Sequence, residues 1–167
     1  MLIEHFKDLL KELGENIGLP DLKSDNDGLC SLRFDDKVTL DFECQESTGA
    51  LIISSILGAL LPHEAKAFYP ILLEANLLWG GTGGATIGVD PATLSVFLCY
   101  QEKIEGMEFL RFQELIKGFS DTALFWNQRL QQGPGGSDAK APEISSSTEA
   151  TSQAGGEALP PLGTTFA

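Results

Sequence analysis

Leu72, Leu73, Glu74, Ala75, Asn76, Leu77 and Leu78 read as a helix, and Gly80, Gly81, Thr82, Gly83 and Gly84 follow directly. Two strand-like runs come next, at 85–89 and 94–100, joined at Asp90-Pro91. This order limits what the chain can fold into. Glycine loops that cradle phosphate follow a strand and open a helix, so that the helix N-terminus faces the anion. These glycines follow a helix and open a strand. They read as a connector into a strand pair, not as a nucleotide site.

The segments on either side fit a grouped order of helices and strands. Leu2, Phe6, Leu9, Leu10, Leu13 and Ile17 recur at three- and four-residue steps, and Gly18 and Pro20 stop that helix. Residues 29–34 read as a strand and Asp35-Asp36 as a tight turn. Val38, Leu40, Phe42 and Cys44 then alternate with Thr39, Asp41 and Glu43, which completes a hairpin. Residues 50–57 form a third strand with two apolar faces. A second helix begins near Pro62-His63-Glu64. Phe68, Leu72, Ala75 and Leu78 lie on one face of it, and Tyr69, Leu73, Asn76 and Leu77 wrap partly round. A helix apolar on two sides needs two burial partners: its own sheet and, as one option, a second subunit. Pro70 fits only near the helix start or at a kink. Phe109, Phe112, Ile116, Phe119, Ala123, Trp126 and Leu130 mark a last helix at about 106–130, despite Gly118. The order α-β-β-β-α-β-β-α predicts an α+β fold with a twisted, largely antiparallel five-stranded sheet packed against helices.

Residues 1–132 carry this pattern. Residues 133–167 are rich in Gly, Ser, Thr, Pro and Ala without a period, and are expected to form a disordered tail. The net charge is −13, with −3 in that tail and −10 in the rest. Such acidity opposes phosphate backbones and argues against nucleic-acid binding. The longest apolar run, 50–62, is too short to span a bilayer, and the first residues lack a signal-peptide pattern. A cytoplasmic protein without membrane insertion is expected.

Chemistry-bearing patterns are weak. Cys30, Cys44 and Cys99 form no CxxC pair, and His5 and His63 lie near no cysteine, so no metal site is predicted. Asp25-Asn26-Asp27-Gly28 resembles part of a calcium loop, but positions one and twelve would be Lys23 and Phe34. A turn is the better reading. Asp41 and Glu43 share a solvent face, and no G-x-S-x-G occurs. No catalytic set, cofactor or enzyme activity is expected. What remains is surplus apolar surface, as a binding module has. A strand that ends a sheet beside an apolar helix accepts extended peptides by strand addition.

Over about 2–130 the chain resembles the class I type III secretion chaperones, the CesT-like (Tir chaperone) family of Gram-negative bacteria. The resemblance rests on the element order and on three stretches: Leu57-Gly58 to Leu61-Pro62, Leu72-Leu73-Glu74-Ala75-Asn76, and the glycine-rich turn before Ala85-Thr86-Ile87-Gly88-Val89-Asp90. It implies a cytoplasmic bacterial homodimer without enzymatic activity. Such a dimer holds the N-terminal chaperone-binding region of an effector in extended form and delivers it to the secretion ATPase. It implies Leu72, Leu73, Asn76 and Leu77 as dimer residues. It implies Leu2, Phe6, Leu9 and Leu10, with Leu32, Phe34, Val38 and Leu40, as effector-contact candidates. A regulatory adaptor of the same fold, sequestering a transcriptional regulator or anti-activator, is the alternative. A small enzyme or ligand-binding protein using Gly80–Gly84 is a third reading. The segment after Gln132 exceeds what the family fold needs.

Overall fold

The structure, a computed structural model, describes residues 1–136. The elements follow the expected order: α1 (Leu2–Ile17), β1 (Leu29–Phe34), β2 (Val38–Gln45), β3 (Ala50–Ala59), α2 (Ala65–Asn76), a 3-10 turn (Leu77–Trp79), β4 (Thr86–Val89), β5 (Ser95–Lys103) and α3 (Phe109–Gln131). The five strands pair antiparallel in the order β1-β2-β3-β5-β4, so β1 and β4 are the two edges. This is the α+β fold that the pattern predicts. Of the segment 133–167, only 133–136 is described. There Arg129 on α3 donates Nη1 to the Gly133 carbonyl at 2.6 Å. The remainder of that segment lies outside the described residues.

Each element has a local cause. Asp35 and Asp36 both take positive φ, +49° and +52°. They sit in the three-residue connection between the paired Phe34 and Val38, which Lys37 N closes by donating to Phe34 O at 3.0 Å, and aspartate tolerates the left-handed backbone such a tight turn needs. Along β2, Val38, Leu40, Phe42 and Cys44 are buried while Asp41 and Glu43 are exposed, as the alternation requires. Leu51, Ile53 and Leu57 on β3 and Val96 and Leu98 on β5 complete the inner face. Helices α1 and α3 cover that face. Phe6 of α1 lies between Phe42 of β2, at 6.4 Å between ring centroids, and Phe112 of α3, at 6.1 Å and nearly perpendicular. Edge-to-face geometry of this kind adds to the burial of the rings.

The N-terminus of α1 is capped from a distant turn. Leu2 N and Ile3 N donate to the two oxygens of Glu46, at 2.9 and 2.8 Å, in the β2–β3 connection. A carboxylate there satisfies orphan amides and meets the positive end of the helix dipole. The amides of Ile3 and Leu2 hold the Glu46 carboxyl below its ordinary value of 4.5. A depressed carboxyl stabilises the fold above its unfolded pKa, and that contribution is lost as pH falls through the folded pKa. We therefore expect wild type to have a higher unfolding temperature than Glu46→Gln at neutral pH. The gap should close as pH drops below 4.5. Thermal unfolding of both proteins across that range checks this, and a pH-independent gap would contradict it.

One sequence expectation for α2 is corrected. Phe68, Leu72 and Ala75 are buried together, but Leu78 does not join them and is 84% exposed. The helix stops at Asn76, and Leu78 takes φ +52°. That backbone step swings its side chain away from the face that helical spacing assigned to it.

Candidate functional site

The glycine-rich turn is a closed connector. Gly80 N donates to Leu77 O, Gly81 N to Ala75 O, and both Thr82 N and Gly83 N to Trp79 O. These amides would have to be free to cradle an anion, and each is already engaged. Thr82 is buried and donates its hydroxyl to Ala85 O at 2.6 Å. Trp126 of α3 donates Nε1 to Gly81 O at 2.8 Å.

Just before this turn the molecule exposes a run of large apolar side chains. Leu73 and Leu77 are each 69% exposed, Trp79 58% and Tyr69 41%, and Leu78 stands out furthest. Leu78 and Trp79 both have positive φ. Each such residue costs roughly 1–2 kcal/mol, and strain of this kind clusters at functional surfaces. No charged residue occurs between Glu74 and Asp90. In a domain carrying −10, this arch is an uncharged, apolar projection.

The four sequence-predicted dimer residues divide. Leu73 and Leu77 lie on this patch. Leu72 is in the core at 4% exposure. Asn76 is half-buried and turned to the sheet: its Nδ2 donates to Ile87 O at 2.9 Å, and Ile87 N donates to its Oδ1 at 2.8 Å. Asn76 thus takes the place of a neighbouring strand on the β4 edge. Tyr69 was legible from its place on the second helix face. Leu78 and Trp79 were hidden because helical spacing does not extend past Asn76.

The eight effector-contact candidates also divide. Phe6, Leu9, Leu10, Leu32, Val38 and Leu40 are buried between α1, the sheet and α3. Only Leu2 and Phe34 are half-buried, together with Ile3, Leu22 and Cys30. Cys30 and Phe34 are on β1 and Leu22 is in the connection before it, whereas Leu2 and Ile3 open α1 beside the β2–β3 connection. Along β1, Leu29 is already engaged, with its N bonded to Asp25 Oδ1 and its O to Asp25 N, each at 2.8 Å. By the alternation of an antiparallel ladder, Ser31 and Arg33 point their main-chain groups outward. A short stretch of open edge is therefore left. On the outer sheet face Ile56 is 53% exposed opposite half-buried Phe97, with Leu29 exposed on β1.

The residues weighed for chemistry sit in structural roles. Asp25 accepts from Asp27 N and Leu29 N, as a turn-forming aspartate does. Among the described residues no group of His, Cys, Asp and Glu is placed to hold a metal ion. Burial pushes the Cys30 and Cys99 thiols above their ordinary value of 9.0, with Asp25 adding to the rise at Cys30. Both are protonated at neutral pH and so weakly nucleophilic. No helix among the described residues is long and apolar enough to cross a membrane.

Known proteins place this architecture. The family model described as the Tir chaperone protein (CesT) family matches residues 8–127. No curated protein matches the chain in sequence. A chain in the crystal structure of the ExsC–ExsE complex is similar at a TM-score of 0.63 and 25% identity, over 74% of this chain and 92% of that one. A chain of the HopA1–SchA chaperone–effector complex follows at 0.60 and 16%, over 75% and 95%. A chain in the crystal structure of the Yersinia pestis type III secretion chaperone SycH in complex with a stable fragment of YscM2 reaches 0.55 and 16%, over 72% and 98%.

Proposed function

The chain belongs to the Tir chaperone protein (CesT) family, and on that premise we propose that it is a cytoplasmic type III secretion chaperone without enzymatic activity. It binds the N-terminal chaperone-binding region of an effector in extended form and keeps it secretion-competent for delivery to the secretion ATPase. The family match carries this reading, and chaperone–effector complexes among the structural neighbours support it. The geometry suggests how. The open β1 edge at Ser31 and Arg33 offers main-chain pairing, and half-buried Cys30 and Phe34 on the same strand offer apolar contact, with half-buried Leu2 at the start of α1 as a further apolar contact. The six buried candidates support this surface from beneath. A basic or neutral segment suits the −10 domain best.

The second part of the proposal is a homodimer joined through Tyr69, Leu73, Leu77, Leu78 and Trp79. An acidic protein meets a copy of itself most readily where charge is absent, and the stretch between Glu74 and Asp90 is such a place.

A pull-down from the native cytoplasm, with mass spectrometry and light scattering of the complex, tests both parts. A dimer carrying one secreted protein, captured only while that protein keeps its N-terminal segment, is the expected result. A captured transcriptional regulator or anti-activator would turn the reading to a regulatory adaptor. A lone monomer with no protein partner would overturn it.

A further inference from the structure

The geometry points to a two-point clamp, formed by Asn76 and Trp126, that holds the segment between them as a pre-shaped arch presenting Leu77, Leu78 and Trp79 to a second copy of this chain. The inference rests on the self-association reading above and adds the residues that position its surface.

The arch is pinned at both feet. At the first foot, the Asn76 amide makes both of its bonds to the Ile87 main chain. At the second, the Gly81 carbonyl accepts from Trp126 Nε1. The feet are joined to each other: Gly81 N donates to Ala75 O at 2.9 Å. The approach is so close that a Cβ at Gly81 would lie 2.8 Å from Ala75 Cα and Cβ. Glycine is required there by space.

Between the feet, no side chain is buried. Leu77, Leu78, Trp79 and Gly80 are all exposed, so the core does not dictate the shape of this segment. Yet two consecutive non-glycine residues hold positive φ, at +52° and +55°. A left-handed backbone persists at such residues only when the surroundings over-determine it. The surroundings here are the Asn76 and Trp126 bonds and the Ala75–Gly81 closure, together with the turn bonds onto Leu77 O and Trp79 O. A mere connector would turn polar residues to water. This one turns two leucines and a tryptophan outward. Rigid presentation lowers the ordering cost of association.

Trp126→Phe removes the N–H and keeps a ring, and Asn76→Ala removes the amide. Each is expected to weaken self-association about tenfold, because one or two part-buried hydrogen bonds no longer hold the surface. Sedimentation equilibrium across a dilution series reads this. In Trp126→Phe the sole remaining tryptophan is Trp79, whose emission should shift to the blue as dimers form. Hydrogen exchange of peptides covering 75–89, followed in dilute monomer, should accelerate about tenfold in both variants. Unchanged exchange in folded variants overturns the clamp whatever the oligomeric state. Faster exchange with an unchanged dissociation constant overturns the assigned role, since the arch would not then be the self-association surface. A wild type that stays monomeric while both variants exchange faster removes the partner and keeps the clamp. Where a variant does not fold, wild-type exchange decides: protection of 75–89 in dilute monomer supports the clamp, and free exchange overturns it.

Discussion

Leu73→Asp is expected to convert the protein to a stable monomer. In the single subunit Leu73 is 69% exposed, so a charge there meets water and disturbs no core contact. Surface changes of this kind alter subunit stability by about 0.5 kcal/mol or less. In the proposed dimer the same carboxylate is buried without a partner, which costs several kcal/mol per ion. The leucine's apolar burial, worth about 1.5–3 kcal/mol, is lost as well. A two-fold interface carries the change twice. Even about 4 kcal/mol in total raises the dissociation constant about a thousandfold. Light scattering at concentrations where wild type is dimeric reads this directly. The unfolding temperature gives a second readout, since dimers unfold at a concentration-dependent temperature and monomers do not. A fully dimeric Leu73→Asp protein would show that two copies meet elsewhere. Trp79→Ala and Leu78→Ala should weaken association less, because each removes contact area without introducing a charge.

The same surface shows where sequence reading stops. The stripes of α1 and α3 and the alternation of β2 fixed those elements, because one face of each meets the core and the spacing reports that face. For α2 the spacing separated Leu73 and Leu77 from Phe68 and Ala75, but it continued the helix through Leu78. The left-handed residues after Asn76 carry no glycine to announce them: Leu78 and Trp79 are the ones that turn. The long-range bonds of Asn76 to Ile87 and of Trp126 to Gly81 have no periodic signature either. The family resemblance implied Asn76 as an interface residue, and only the folded sheet edge shows what its amide serves. The connector reading of the glycines needed just the order of elements, and so it was legible.

The effector-contact candidates, implied by the family resemblance, meet a related limit. Spacing identifies residues that face something apolar and cannot say whether that is the core or a groove. Phe6→Ala separates the two. Its ring is fully buried between Phe42 and Phe112. Truncating a core phenylalanine costs about 3–5 kcal/mol, including the cavity left behind. Against a total of about 5–15 kcal/mol for a domain, that is a large share. Urea unfolding should show a much lower midpoint with an unchanged slope. Leu2→Ala and Phe34→Ala remove half-buried side chains, and each should cost roughly a third as much, since less area leaves water. Client capture per folded molecule is expected to run the other way. Phe6→Ala retains it where the protein is still folded, while Phe34→Ala, at the open β1 edge, weakens it. Should Phe6→Ala abolish capture at full stability, the α1 stripe would have to open to the client, and the packed position of α1 would be the closed form of a movable element.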